Sequence, residues 1–201
     1  MFVIPDTDKK IRAKISSYKS AFNRELREYG YISDGYGKRY LMFPLLLVLN
    51  DLKKAEEYVG WHDSQFPDDM GEPIQMLCRS ILTYRIGNID QASYELAETM
   101  LSNVYLLPWL LNEKVEPFDM WHTSNFQMVE HCEYVPDRVL ESISEQEFEW
   151  IFRCYNSEAF IKARTRYIEI HMLLNLVSDI DERAKLLGES YKLLEPLEKF
   201  S

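Results

Sequence analysis

The segments NDLKKA (50–55) and GNIDQA (87–92) each join two stretches whose apolar residues recur at helical spacing. Both segments begin with residues that favour turns and end in an alanine of the kind that packs inside a protein. The stretches around them, Arg39 to Pro67 and Met76 to Val104, are offset copies of one pattern. A unit of helix, tight turn and second helix that recurs along a chain indicates a repeat architecture. The unit contains no catalytic motif.

Outward from these turns, apolar residues spaced three and four apart predict helices along most of the chain. The first predicted helix runs from Asp8 to Tyr29, and Gly30 follows it as a C-terminal stop. The further predicted helical segments are residues 38–49, 52–62, 72–86, 88–101, 120–132, 144–155, 159–177 and 182–197, whereas residues 105–111 are a short apolar piece interrupted by Pro108. No run alternates apolar and polar residues between hairpin turns, so the predicted fold class is all-α, in a single domain spanning residues 1–201.

Local signals predict how some of these helices begin. Asn88 with Gln91 and Ser144 with Glu147 have the spacing of a capping box, in which each side chain accepts a hydrogen bond from the other residue's backbone amide. Pro44 must kink its helix or lie near a shifted start, because proline lacks the amide hydrogen that a helix interior uses.

Length and charge bound the classes of function. A chain of 201 residues, 46% of them hydrophobic, can bury one sizeable core. The formal net charge of -10 repels a phosphate backbone, so we expect no nucleic-acid partner. The longest apolar run, Tyr40 to Leu49, is half the length of a membrane span and contains Pro44, so we expect a buried helix and no membrane association.

The N-terminus and the cysteines bear on location. Met1 to Asp6 has no basic start followed by a long apolar stretch, so we expect no signal peptide. The three cysteines, Cys78, Cys132 and Cys154, are odd in number and far apart, which is typical of reduced thiols packed as small hydrophobic residues. We therefore expect a cytoplasmic protein.

The first of the two recurring units resembles the tetratricopeptide repeat. Ala55 matches the small position early in the second helix of that family, and Pro67 matches its closing proline. Phe43 and His62 depart from the pattern, because they stand where the family has small residues.

The second unit is similar to the same repeat. Ala92 matches, and Gly87-Asn88 is a good version of the family's turn. Ser80 supplies a small residue where the first unit does not, whereas Val104 replaces the closing proline. A third and weaker match places Ala184 and Pro196 at the corresponding spacing.

The resemblance covers about half of the chain, as two hairpins within residues 37–111 and a third within residues 159–198. Ala55 and Ala92 are 37 residues apart, whereas the family repeats every ~34 residues. The resemblance implies helical hairpins of tetratricopeptide-like type, packed into a single compact right-handed superhelix or bundle. The alternative is an irregular helical bundle, because apolar helical periodicity is common to both architectures.

The resemblance also implies a concave face, lined by the first helix of each hairpin. The partner-binding residues that it implies there are Tyr40, Leu47, Leu77, Ile81 and Tyr84. These side chains are mostly apolar, and a large exposed apolar patch is unusual in a soluble monomer. A partner or the chain's own helices must therefore cover the face, and we expect the chain's own helices to do so.

The densest group of side chains that bind metals is Asp119, His122, Glu130 and His131. His122 and His131 are nine residues apart, about 900° of helical rotation, so one helix places them on opposite sides. We therefore expect no metal site. The sequence also lacks the local motifs of activated nucleophiles, so we expect no catalytic residues and no cofactor.

The glycine-rich stretch of residues 31–37 contains Gly35-Tyr36-Gly37. A phosphate-binding loop would follow a strand and end in Gly-Lys-Ser or Gly-Lys-Thr, and neither feature is present. We interpret the stretch as a turn between two helices.

The sequence favours a non-catalytic protein–protein interaction or scaffold module with a protein or peptide partner, because the hairpins recur without a catalytic motif. The alternative is a helical enzyme or small-ligand-binding protein whose site is assembled from distant residues, which spacing along the chain does not reveal. Convergence of His122, Glu130 and Arg85 on one cavity would favour this alternative. An uncovered apolar groove would favour the interaction module.

Overall fold

A computed structural model describes residues 2–198, and within that range the protein is all-helical, as the sequence predicts. The α-helices are α1 Asp8–Tyr29, α2 Lys38–Leu49, α3 Leu52–Gln65, α4 Pro73–Ile86, α5 Ile89–Ser102, α6 Leu106–Leu110, α7 Asp137–Ser142, α8 Glu145–Tyr155, α9 Glu158–Leu176, α10 Ile180–Ser190 and α11 Glu195–Glu198. Two short 3₁₀ helices, Asn125–Gln127 and Val129–Tyr134, lie between α6 and α7.

The first helix, α1, forms as the periodicity predicts. Thr7 caps it by accepting a hydrogen bond from the Lys10 amide at 3.4 Å, and Gly30 ends it at a φ of 76°. A side chain with a Cβ atom is strained at that φ, so glycine suits the stop. Ile11 and Phe22 lie on the buried face, and α1 packs against α2.

Two helical hairpins follow α1. The helices α2 and α3 meet at Asn50, where φ is 51°, and α4 and α5 meet at Gly87, where φ is 95°. Ala55 and Ala92, early in α3 and α5, are fully buried. Since α4 packs against α2, α3 and α5, the two hairpins are stacked side by side.

Of the two predicted capping boxes, one forms. The Ser144 amide donates to Glu147 Oε2 at 2.7 Å, and the Glu147 amide donates to Ser144 Oγ at 3.3 Å. The prediction for Asn88 is wrong, because its side chain accepts no capping hydrogen bond. Its ψ is 76°, whereas Ser144 has the extended value of 161° that aims a side chain at the helix, and Gln91 bonds Glu95 instead.

The predicted helix over residues 120–132 is also wrong. Apart from the two 3₁₀ helices, this segment is irregular. Asn103, at the end of α5, donates from Nδ2 to the carbonyl oxygens of Phe126 and Met128 at 2.7 and 3.1 Å. The Met128 carbonyl also accepts from the His131 amide at 3.1 Å, three residues on, which is the spacing of a 3₁₀ turn and not of an α-helix.

Other boundaries differ from the prediction as well. The helix α7 and the capping box of Glu72 with Gln75 that begins α4 are not among the predicted features. The predicted last helix, 182–197, is divided into α10 and α11. Pro44 lies inside α2 without ending it.

The remaining helices cover the two hairpins. Both α1 and α7 pack against α2, whereas α8 and α9 pack against α5, and α10 packs against α9. A cleft remains open between α3, α4 and α5 on one side and α9 and α10 on the other. No helix in the described range combines the length and the apolar content that crossing a bilayer requires.

Candidate functional site

The cleft has a volume of about 560 Å³. This size is within the range of ~300–1,000 Å³ that is typical of ligand pockets. Its wall contains both apolar and ionisable side chains, which come from distant parts of the sequence. The acidic and basic side chains that line it, among the described residues, are His62, Asp63, Asp69, Arg79, Glu95, Glu98 and His171. Such convergence makes the cleft the candidate functional site.

Arg79, on α4, joins two of the carboxylates. Its Nη1 and Nη2 donate to the two oxygens of Asp63 at 2.6 and 3.1 Å, and its Nε donates to Glu95 Oε1 at 2.9 Å. Burial lowers the pKa of Arg79, but the pairing with Asp63 and Glu95 outweighs burial and raises it overall. Because Asp63 lies on α3 and Glu95 on α5, this guanidinium ties three helices together at the floor of the cleft.

Asp63 keeps its negative charge in this setting. Burial raises the pKa of the carboxyl, but the nearby His62 ring and the hydrogen bonds and charge of Arg79 lower it to about 2. The carboxylate therefore contributes a full negative charge to the cleft at neutral pH.

His62 lies between two carboxylates. Its Nδ1 is 3.5 Å from Asp63 Oδ1, and its Nε2 is 3.5 Å from Asp69 Oδ2. The imidazole is 4% exposed and packs edge-on against Phe43, with ring centroids 5.3 Å apart. Neither nitrogen makes a hydrogen bond with the described residues, so the ring stands close to both carboxylates without a directed bond to either.

Glu95 presents an unsatisfied oxygen. The residue is 4% exposed, and its Oε1 accepts from Arg79 at 2.9 Å and from Gln91 at 3.3 Å. Its Oε2 is buried and accepts no hydrogen bond from the described residues. A buried acceptor without a donor costs ~1–3 kcal/mol. A hydrogen-bond donor that enters the cleft and bonds Glu95 Oε2 therefore removes this cost and stabilises the protein.

The loop 66–71 forms a rim of the cleft, and Tyr40 helps to hold it. Arg39 Nε donates to Asp69 Oδ2 at 2.7 Å, and the Tyr40 hydroxyl donates to Asp69 Oδ1 at 2.8 Å. The Gly71 amide also donates to Asp69, at 3.2 Å. Burial and the hydrogen bond to Asp69 raise the pKa of Tyr40 to about 12, so its hydroxyl remains a donor.

The opposite wall contains His171 on α9 and Ser190 on α10. His171 Nδ1 is 3.0 Å from the carbonyl oxygen of Trp121, and Nε2 is 3.5 Å from Ser190 Oγ. Burial lowers the pKa of His171, which favours the neutral imidazole. In the neutral ring, Nδ1 donates to the carbonyl and Nε2 is left as an acceptor facing the serine hydroxyl.

The residues predicted to bind a partner lie mostly in the core. Leu47, Leu77 and Ile81 are fully buried, and Tyr84 stacks on Trp150 with ring centroids 4.5 Å apart. A partner of the folded chain has no access to the three aliphatic side chains. Tyr40 is the member of the set that connects to the cleft, through the loop that it holds.

The group of potential metal ligands in the sequence, for which we expect no metal site, contains side chains that have other partners. His131 Nε2 is 2.6 Å from Glu72 Oε1, and Asp119 accepts from Asn175 at 3.1 Å. Within residues 2–198, no three histidine, cysteine or acidic side chains are grouped so that they can hold a metal ion.

His122, Glu130 and Arg85 do not converge on the cleft, because none of them lines it. Arg85 instead bonds Glu147 on α8, at 2.6 Å. Ionisable groups do meet in a cavity, as the alternative function requires, but they are a different set.

The glycine-rich loop is a turn between α1 and α2, as predicted. The two carboxylate oxygens of Asp34 accept from the backbone amides of Lys38 and Arg39, both at 2.8 Å. The amides at a helix N-terminus are the groups that bind phosphate. Here the chain's own carboxylate occupies them.

Two signals in the sequence mark the cleft residues. His62 stands where the tetratricopeptide repeat has a small residue, and Glu95 interrupts the buried face of α5 beside Ala92 and Leu96. A charged side chain on a buried face usually has a partner there. Spacing does not reveal Arg79, because it is 16 residues from both carboxylates that it joins.

Comparisons of the chain with protein-family models, with curated proteins and with solved structures find no match. The function proposed for it rests on the fold and on the cleft.

Proposed function

We propose that the chain is a non-catalytic protein–protein interaction module, in which tetratricopeptide-like hairpins support a cleft that receives a segment of a partner protein or peptide. One observation carries this proposal: an open cleft with a charged floor has large apolar side chains exposed on its rim. Met70 and Tyr191 line the cleft and are 80% and 75% exposed. Exposed aromatic and methionine side chains around buried charges are typical of protein-binding surfaces.

The stacking of the hairpins supports the repeat assignment. Ala55 and Ala92 are buried at equivalent positions, and α4 contacts both helices of the preceding hairpin. We also propose a cytoplasmic location, which the three free cysteines support, because disulfides persist mainly in oxidising compartments.

The second candidate function is a helical enzyme or small-ligand-binding protein. The pair of Ser190 Oγ and His171 Nε2, 3.5 Å apart, favours it, because a serine next to a neutral histidine is the start of a nucleophilic site. Against it, Ser190 is the last residue of α10. The C-terminal end of a helix presents carbonyl groups, so α10 supplies no amide donors there for an oxyanion.

Site-specific photocrosslinking tests the proposal. The photoreactive residue p-benzoylphenylalanine replaces Tyr191 on the rim in one variant, and in the control it replaces Tyr36, which is 87% exposed and does not line the cleft. The captured protein is identified, purified and titrated against the unmodified chain. We expect a stoichiometric partner that is crosslinked from position 191 and not from position 36.

A matched pair of substitutions then locates the binding surface. We expect Tyr191→Ala to weaken binding of the purified partner about tenfold, equivalent to ~1.4 kcal/mol. Tyr36→Ala should leave the affinity unchanged. Equal capture from both positions, or equal affinity of both variants, would overturn the assignment of the cleft as the binding surface.

A further inference from the structure

We propose that the occupant of the cleft inserts a cationic group, an alkylammonium or a guanidinium, that donates a hydrogen bond to Glu95 Oε2. The inference rests on the proposed function and names the chemistry of the group that the partner presents. It identifies a single anchoring atom at the floor of the cleft.

The first observation is the unsatisfied oxygen. Glu95 Oε2 is buried in a residue that lines the cleft, and no described residue donates to it. The other oxygen of the same carboxylate has two donors, Arg79 and Gln91. Buried carboxylate oxygens normally have donors, so Glu95 Oε2 specifies a ligand atom that carries a hydrogen.

The second observation is the charge of the cleft. Four carboxylates and one guanidinium line it, among the described residues. Arg79 already donates from Nε, Nη1 and Nη2 to Asp63 and Glu95, so its charge is committed to internal pairs. Arg39, which does not line the cleft, pairs with Asp69. Asp63, Asp69 and Glu95 together therefore carry one negative charge more than these two guanidinium groups, and a cation compensates it whereas an anionic or neutral ligand does not.

The third observation is the apolar part of the wall. Met76, Leu101 and Leu187 line the same cleft as Glu95. A lysine or arginine side chain buries an apolar stem along such surfaces and keeps its charged head at a polar group. The combination fits a charge at the end of a flexible aliphatic chain better than it fits a compact ion.

Two sources can supply this chemistry, a lysine or arginine side chain of a peptide and a free polyamine. Nuclear magnetic resonance titration of the uniformly ¹⁵N-labelled chain distinguishes them. The probes are Nα-acetyl-lysine N-methylamide, Nα-acetyl-arginine N-methylamide, spermidine and the neutral isostere Nα-acetyl-norleucine N-methylamide. A single side chain is expected to bind with a Kd on the order of 1 mM, so each probe is raised to about 20 mM.

We expect the lysine and arginine probes to shift the amide signals of Arg79, Glu95 and their neighbours, and the norleucine probe to leave them unchanged. Stronger binding of spermidine than of both amino-acid probes would assign the cation to a free polyamine. Raised sodium chloride should weaken the binding of every cationic probe, since the pairing is electrostatic.

A matched pair of variants tests the anchoring atom. Glu95→Gln should weaken binding of the cationic probes at least tenfold. The control Glu56→Gln removes the same charge from the exposed side of α3 and should leave the affinity unchanged. Circular dichroism verifies that both variants are folded. If Glu95→Gln does not fold, the comparison of lysine with norleucine probes on the unaltered chain decides the question.

The probe experiments would overturn the inference if no cationic probe caused shifts, if the norleucine probe caused equal shifts, or if the Glu95→Gln variant bound the cationic probes with equal affinity. The proposed function fails separately. If the crosslinked partner depends on Tyr191 but not on Glu95, the interaction module stands and the cationic anchor is wrong. If the cationic probes bind but no partner is captured at position 191, the anchor stands and the interaction module is wrong.

Discussion

Arg85 and Glu147 are 62 residues apart in the sequence and form a paired, two-point contact in which Arg85 Nε and Nη2 donate to the two carboxylate oxygens at 2.6 and 3.1 Å. Arg85 also donates to the carbonyl oxygens of Leu47 at 3.1 Å and Ser142 at 2.6 Å. One side chain of α4 therefore bonds the end of α2, the end of α7 and the start of α8. This contact closes the second half of the chain onto the first hairpins, on a side of α4 that does not face the cleft.

Arg85→Met should lower the free energy of unfolding by about 3–5 kcal/mol, because it leaves the buried carboxylate of Glu147 without its partner. Urea denaturation followed by circular dichroism measures the change. The control is Arg12→Met, which removes an ion pair between Asp51 and a side chain that is 49% exposed, and it should cost less than about 1 kcal/mol.

The double variant Arg85→Met with Glu147→Met separates charge burial from packing. Replacing both partners of a buried pair by apolar groups is often close to neutral. We expect the double variant to regain most of the stability lost in Arg85→Met, and a further loss would show that the hydrogen bonds themselves dominate.

The same pair predicts a pH dependence. Burial raises the pKa of Glu147, but the hydrogen bonds from Arg85 and Ser144 and the charge of Arg85 outweigh it, so the pKa in the folded state is below the ordinary 4.5. The unfolded chain then binds the proton more readily than the folded chain. The stability contributed by Glu147 is complete above pH 4.5 and is lost as the pH falls through the folded-state pKa.

Urea midpoints measured between about pH 7 and pH 3 test whether stability falls as the pH is lowered. Glu147→Gln cannot titrate, so its midpoint should fall less steeply below about pH 4.5 than that of the unaltered chain. Parallel curves for the two proteins would show that other carboxylates account for the acid sensitivity.

Tyr40→Phe should loosen the rim of the cleft. The substitution removes the hydroxyl that accepts from Arg39 Nη2 at 2.6 Å and donates to Asp69 at 2.8 Å. We expect a loss of about 1 kcal/mol and faster hydrogen exchange of the Gly71 amide, which bonds the same carboxylate. The exposed Tyr36 supplies the control Tyr36→Phe, and equal exchange in both variants would contradict the assigned role of Tyr40.

The sequence predicts the local parts of this fold well. Periodic apolar spacing and a glycine stop define α1, and the turns at Asn50 and Gly87 define the hairpins, because each signal is contained within a few residues. The segment 120–132 shows where such signals fail. There the carbonyl groups of Phe126 and Met128 bond Asn103, which is more than twenty residues away, and a tertiary bond overrides the local periodicity.

The cleft is a tertiary feature for the same reason. Asp63, Arg79 and Glu95 lie on three helices, and their meeting depends on how α3, α4 and α5 are rotated about their axes. Helical periodicity assigns a residue to a face but does not state what that face opposes. The burial of Glu95 is the part that the sequence does indicate, since it interrupts the apolar face of α5.

Leu77→Ala distinguishes the core from a binding surface at a residue predicted to contact a partner. Leu77 is fully buried, so its truncation should cost about 2–5 kcal/mol by removing packing contacts and leaving a cavity. Met172→Ala is the control on α9, where the side chain is 43% exposed, and it should cost less than about 1 kcal/mol. Unchanged stability together with lost partner binding would place Leu77 on a binding surface instead.

Ser190→Ala tests whether the cleft is catalytic. If Ser190 were a nucleophile activated by His171, its removal would lower hydrolysis of an activated ester by a factor of ~10² or more. For a non-catalytic cleft we expect the unaltered chain and the variant to hydrolyse p-nitrophenyl acetate at the same rate as buffer. The lost hydrogen bond should lower the free energy of unfolding by about 1 kcal/mol, whereas Ser16→Ala, on the exposed side of α1, should leave stability unchanged. Hydrolysis above the buffer rate that disappears in Ser190→Ala would instead establish the helical enzyme.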